Sequence, residues 1–344
     1  MKRLLCISVI ATVLMTVVSC GDSVNVPKPG ATGKSGELLV IIENSHWDSE
    51  LGDTIRSIFE RPYPGLANPE KFYTLIPVAN SSFLPVMQKH RNILLISVSS
   101  EFSETKLTIK HDFWATPQIV LNAVGANISA VAKVLSDKRE YMINLYEQAE
   151  LERQSKNVKI YSDTIIHRKI KERFDVDLHV PSGYYTIMRN DAGFIWLETQ
   201  SNHNSIGVFV YSYPFVDDST FTVNYLMNKR DSIMKEKVHG ARDSSWMTTT
   251  KLILPELKIK KFKGLQYGEL RGLWELVNDY MGGPFVSRSY IDAKKRRIVT
   301  VEGYVYAPRF EKRDYVRRVL GIINTFSFDD NTKTEGENEK SENN

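Results

Sequence analysis

Cysteine is almost missing from this chain. Two occur in 344 residues, Cys6 and Cys20, so no thiol remains beyond the first twenty positions. The body therefore has no disulfide, no thiolate metal site and no cysteine nucleophile. Charge of one sign is missing too. Lys plus Arg number 45 against 41 Asp plus Glu, and two of those cations, Lys2 and Arg3, stand at the extreme start. Such a balance gives no footprint for nucleic acid. No apolar run reaches the roughly 20 residues a helix needs to cross about 30 Å of hydrocarbon. His-Glu-x-x-His and Gly-x-Ser-x-Gly are both absent. The histidines (His46, His90, His111, His167, His179, His203 and His239) form no short-spaced pair, so no metal site is expected. Gly33-Lys34-Ser35 looks like the end of a phosphate-binding loop, but Lys28 stands where that loop needs glycine. The triplet also precedes the apolar run Leu38–Ile42 instead of following a strand. No cofactor is expected.

What is present begins with an export signal. Met1-Lys2-Arg3 leads into a short, almost wholly apolar stretch, Leu4 to Val18. That is the layout of a secretory leader. Val17-Val18-Ser19-Cys20 resembles a lipobox, with a small residue just before the cysteine. In such signals the Cys20 thiol receives a diacylglycerol and a peptidase cuts before it. The expectation is a signal peptide over 1–19 and a lipid bilayer as partner through acylated Cys20. Residues 20–36, rich in Gly, Pro and Ser, read as a flexible tether. At the other end, 329–344 carries six acids, two lysines and no apolar residue, and reads as a disordered acidic tail.

Between these lie about 290 residues, and hydrophobic residues make up 42% of the chain. That suffices for one large or two ordinary domains. Over 37–157, buried strands at Leu38–Ile42 and Ile93–Val98 alternate with helical spacing at Ser49–Phe59 and a short helix expected at Phe83–His90. A long helix is expected from Asn127 to about Ser155, and another over Ser162–Phe174. Over 158–328, short alternating runs joined by polar turns predict an antiparallel sheet with helices against one face. The fold class is α+β or α/β: two helix-backed sheets joined by a long helical segment. Lys138-Arg139-Glu140-Tyr141 echoes Lys312-Arg313-Asp314-Tyr315, which raises the possibility of duplicated domains.

Arg271-Gly272-Leu273-Trp274, Met281-Gly282-Gly283-Pro284-Phe285-Val286-Ser287 and Glu302-Gly303-Tyr304-Val305-Tyr306-Ala307-Pro308 resemble a family of Bacteroidetes envelope lipoproteins, domain-of-unknown-function family 4837. Arg91-Asn92-Ile93 and Arg230-Asp231 look like it too, so the resemblance extends from about Glu37 to Phe326. The family has no established activity. By the same resemblance, the few acids after Cys20 imply an anchor facing the periplasm and not the cell surface.

The most unusual segment is Glu269–Phe285. A functional reading makes Arg271, Trp274, Glu275, Asp279, Gly282 and Gly283 one ligand surface: Gly282-Gly283 admit the ligand, Trp274 stacks on it and Arg271 clamps an anionic group. A plainer reading is a buried Arg–Glu pair beside a core tryptophan and a tight turn. The function expected is non-enzymatic binding or structure, with an envelope protein or glycan as partner. The alternative is an envelope hydrolase with an Arg/Glu/Asp site near Gly282-Gly283.

Overall fold

The computed structural model describes residues 27–188, 192–200, 204–242, 244–262 and 264–328. The leader, Cys20 and the acidic tail lie outside them. The first sheet is built from β1 (Glu37–Ile41), β2 (Thr74–Val78), β3 (Asn92–Val98), β4 (Lys106–His111) and β5 (Ile119–Gly125), in the order 2-1-3-5-4. All its pairings are parallel except that of β4 with β5. Strand β1 is apolar throughout because both faces are covered. Leu38 and Val40 join the main core, while Leu39 and Ile41 pack on the other side with Ile93 and Val120.

Helix α1 (Glu50–Phe59) is capped by Ser49, whose side chain accepts from the Leu51 amide. The long helix expected from Asn127 is two helices, α2 (Ile128–Asp137) and α3 (Arg139–Ile160), broken at Lys138. Lys138 has left the helical region, with φ −101° and ψ 10°. The helix expected at Phe83–His90 is reduced to a 3-10 turn, Met87–Lys89. Helix α4 (Thr164–Phe174) starts at Asp163, which accepts from two amides.

The second sheet is antiparallel, in the order β10-β12-β13-β14-β9-β8-β7, with β11 also on β12. Its strands are β7 (Tyr185–Met188), β8 (Phe194–Gln200), β9 (Ser205–Pro214), β10 (Met247–Thr249), β11 (Glu256–Phe262), β12 (Leu265–Leu276), β13 (Gly282–Asp292) and β14 (Arg297–Tyr306). A small separate pair joins β6 (Val176–Asp177) to β15 (Ser327–Phe328). Helix α5 (Val223–Lys237) covers one face of the sheet and α6 (Arg313–Ile323) the other. The one-sided cover expected from the sequence is thus two-sided. Strand β9 shows why: Val208 and Val210 join the α6 side, while Phe209 and Tyr211 join the α5 side. A mixed parallel sheet and an antiparallel one are different folds, so the echoed tetrapeptide does not mark a repeated domain.

Helix α6 fixes the two sheets together. Gly303 on β14 gives it room, since a Cβ there would lie 2.5 Å from Val319 Cβ. The apolar core runs continuously from Leu38 through Tyr146 and Val319 to Val301. Residues 29–36, expected as tether, are also held. The Ala31 amide donates to Thr116 O at 3.0 Å, and the Thr116 amide donates to Pro29 O at 2.9 Å. The Thr32 amide donates to Lys89 O at 2.8 Å. Gly33, with φ +93°, lies against His90, where a side chain would collide.

Candidate functional site: a cationic cleft between the two sheets

Strand alternation puts Glu269 and Arg271 on one face of β12. Register does the rest, setting Glu269 opposite Arg288 on β13 and Tyr267 opposite Lys260 on β11. Glu269 is 1% exposed and holds three cations. Lys260 Nζ and Arg271 Nε reach Oε1 at 2.8 and 2.9 Å, and Arg288 Nε reaches Oε2 at 2.9 Å. Burial alone would raise this carboxyl's pKa, but the Arg271, Arg288 and Lys260 charges outweigh it and hold it well below the usual range. The Lys260 ammonium is pushed down, by burial first, despite Glu269.

Arg288 Nη1 also donates to Asn324 Oδ1 at 3.1 Å, and Asn324 Nδ2 donates to Ser155 Oγ at 3.1 Å. That chain ties the sheet to α6 and α3. From the first unit come Tyr63, Arg61 and Glu147. Arg61 is paired with Glu140, and Glu147 with Arg317 of α6. Arg317 lies 5.3 Å from the Tyr63 ring centre and donates to Phe72 O at 2.8 Å.

Together these residues wall a cleft of about 450 Å³. Seven cations line it: Arg61, Lys258, Lys260, Lys261, Arg271, Arg288 and Arg317. Five acids answer them: Glu140 and Glu147 in the wall, Glu269 beneath, Glu256 paired with Lys258 at 2.8 Å and Asp314 with Arg317 at 3.3 Å. Aromatic rings alternate with the charges; Arg288 sits 4.7 Å from the Tyr267 ring centre. A partly enclosed excess of positive charge draws anions and gains strength from the low-dielectric wall.

Of the six residues read as one surface, only Arg271 lines the cleft. Trp274 is 2% exposed, donates from Nε1 to Val305 O at 3.3 Å and meets the Tyr304 ring edge-on at 5.5 Å. It belongs to the α5-side core and cannot stack on a ligand. Gly283 admits the neighbouring strand and not a ligand: its Cβ would lie 2.0 Å from Val305 O. Gly282 pairs with Glu275 in the β12–β13 ladder, four residues and about 13 Å along from Arg271. Asp279 sits in the turn beyond, accepting from the Tyr280 amide. Arg271, Glu275 and Asp279 therefore do not converge, and the hydrolase arrangement near Gly282-Gly283 is not formed.

Sequence reading missed Arg61, Lys258, Arg288 and Arg317. Their approach depends on the β12–β13 register and on how α6 seats between the sheets, and neither leaves a local signal. It also missed a meeting of His167, Asp177 and His179 outside the cleft, the group among the described residues with metal-donor spacing. Asp177-x-His179 on an extended segment was the available hint.

Residues 162–325 match the family described as Domain of unknown function (DUF4837), and residues 31–159 match a separate one, Domain of unknown function (DUF8532). The resemblance read over about Glu37–Phe326 thus holds for the C-terminal unit, and Arg91-Asn92-Ile93 falls within the other family's range. No curated protein matches the chain. The Ran-binding protein Mog1p of Saccharomyces cerevisiae is similar in structure, at 9% identity and TM-score 0.31, over 45% of this chain and 90% of that one. The human StarD13 lipid transfer and protein localization domain is similar at 12% identity and TM-score 0.21, over 48% and 98%. Likenesses this distant carry no functional argument.

Proposed function

We propose that this chain, whose residues 162–325 match domain-of-unknown-function family 4837, is a lipid-anchored bacterial envelope protein, facing the periplasm, that binds an acidic glycan between its two sheets without acting on it chemically. The observation that carries the binding reading is the floor of the cleft. One buried carboxylate, Glu269, serves three cations; Arg61, Lys258 and Lys261 stand toward the rim, and buried Arg317 lines the wall. The interleaved aromatic rings suit the apolar faces of sugars, and the cations suit carboxylate or phosphate substituents.

The anchor reading rests on the leader and on Val17-Val18-Ser19-Cys20. Among the described residues no helix is long and apolar enough to cross a membrane. The chain joins the body at Pro29, so nine residues at about 3.5 Å each would keep it within roughly 30 Å of an acylated Cys20. The segments that hold that entry, through Lys89 and Thr116, also carry Leu84, Val86 and Phe113, 55%, 66% and 42% exposed, with Lys110 3.9 Å from the Phe113 ring centre. A surface of apolar side chains among lysines suits a bilayer interface.

Two measurements test the proposal. Palmitate labelling in cells should mark the wild-type chain and not Cys20→Ala, which should leave the membrane fraction; an unlabelled wild type ends the anchor reading. The full chain should be retained on polygalacturonate resin and released by salt, but not retained on dextran. Equal behaviour on both resins ends the cleft reading.

A further inference from the structure

The second site lies on the C-terminal unit, away from the cleft. His167 stands in the second turn of α4. Asp175 ends that helix in the left-handed conformation, φ 55°, and sends the chain back as β6. Along this return Val176 and Leu178 are fully buried, so alternation sets Asp177 and His179 on the opposite face, toward His167. The position is braced. Asp177 pairs with Ser327 of β15, the His179 amide donates to Thr325 Oγ1 at 3.0 Å, and His179 Nδ1 lies 3.0 Å from Ser162 Oγ. The two imidazoles stack, with centroids 4.4 Å apart and planes 13° from parallel.

Both Nε2 atoms address the same carboxylate. His167 Nε2 is 2.5 Å from Oδ1, and His179 Nε2 is 3.6 Å from Oδ2. The second separation is too long for a hydrogen bond. It is close to what a shared ion would set, since two bonds of about 2.0–2.2 Å at a tetrahedral angle put their ligand atoms about 3.4 Å apart; the His167 contact is a direct hydrogen bond that has to open by about 0.9 Å to admit the ion. All three donor atoms lie within 4.8 Å of one another. The side chains are 21–31% exposed, which leaves an outward position for water. Ser162 supplies the outer hydrogen bond that commonly orients a metal-bound imidazole.

From this geometry we infer that His167, Asp177 and His179 form a binding site for a divalent zinc-class cation. Two imidazole nitrogens and one carboxylate oxygen suit zinc and its late first-row neighbours and are too nitrogen-rich for calcium or magnesium. Three protein ligands with an open fourth position match reactive or exchangeable zinc sites, not sealed structural ones.

The test is calorimetric titration of Zn2+ into the full chain. One ion per chain should bind. His167→Asn/His179→Asn should weaken binding at least tenfold, while His111→Asn, exposed and remote in sequence, should leave it unchanged. No stoichiometric binding, or equal binding by the double variant, overturns the site. If the double variant fails to fold, zinc-edge X-ray absorption of the unaltered chain decides. Scattering from two imidazoles and a nearby oxygen is expected, and a shell lacking imidazole overturns it.

Discussion

At the scale of single residues, Glu269 has the largest consequences. Replacing it by Gln strips the charge from a site that holds Lys260, Arg271 and Arg288. Breaking a buried ion pair by removing one partner typically costs about 3–5 kcal/mol. Glu269→Gln should lower the unfolding free energy by that order, seen as a lower urea midpoint with an unchanged slope. Acid should act in the same way. Because this carboxyl's pKa is lowered in the folded state, its contribution is complete above its unfolded value of about 4.5 and fades as pH falls below it. Stability measured from pH 5 down to pH 3 should therefore fall less steeply in Glu269→Gln than in wild type. Alternation put Glu269 and Arg271 on one face, and the plainer reading of a buried Arg–Glu pair beside a core tryptophan is the one the fold adopts. Arg288 was not legible, because nothing local states which β13 residue faces Glu269.

At the scale of elements, the sequence was clearest where a cap or a turn writes its own signal. The helices expected over Ser49–Phe59 and Ser162–Phe174 form, started by the side chains of Ser49 and Asp163. The polar turn between Asp292 and Arg297 also closes a hairpin, joining β13 to β14. Legibility failed where long-range packing decides. Phe83–His90 has helical spacing, yet its residues are spent covering the outer face of the first sheet, with Phe83 edge-on to Trp114 at 5.7 Å. The second cover helix of the antiparallel sheet also needed the fold. Its Arg230 is buried against Glu302, with Nε at 2.9 Å from Oε1 and the guanidinium 3.9 Å from the Phe285 ring centre. Charge within a helical run reads as a solvated face until its partner on a distant strand is seen. The α6–β14 contact gives a sharper expectation. Gly303→Ala would drive a methyl into Val319, and overpacking of this kind costs about 1–3 kcal/mol. Pairing it with Val319→Ala removes the two Cγ contacts but keeps the Cβ at 2.5 Å, so thermal unfolding should recover little of that loss.

At the scale of the whole molecule, two sheets of different design share one core through α6, and the cleft is the gap their seam leaves open. Its walls come from segments about 200 residues apart, such as Arg61 and Lys260. No window of sequence could have shown it. The ordered body also begins well before residue 37, because Pro29 to Thr32 are hydrogen-bonded to the first unit. If Leu84, Val86 and Phe113 rest on the bilayer, Leu84→Asp/Val86→Asp should weaken binding of the unacylated Cys20→Ala chain to anionic vesicles severalfold. Equal binding would place another face against the membrane. The central claim, an anion-binding seam, is tested most directly by calorimetric titration of trigalacturonate and of a neutral trisaccharide into the full chain. Saturable, salt-sensitive binding of the acid alone is expected, weakened at least tenfold by Lys258→Ala/Lys261→Ala; equal affinity for the neutral sugar, or no effect of removing those two rim cations, would contradict it.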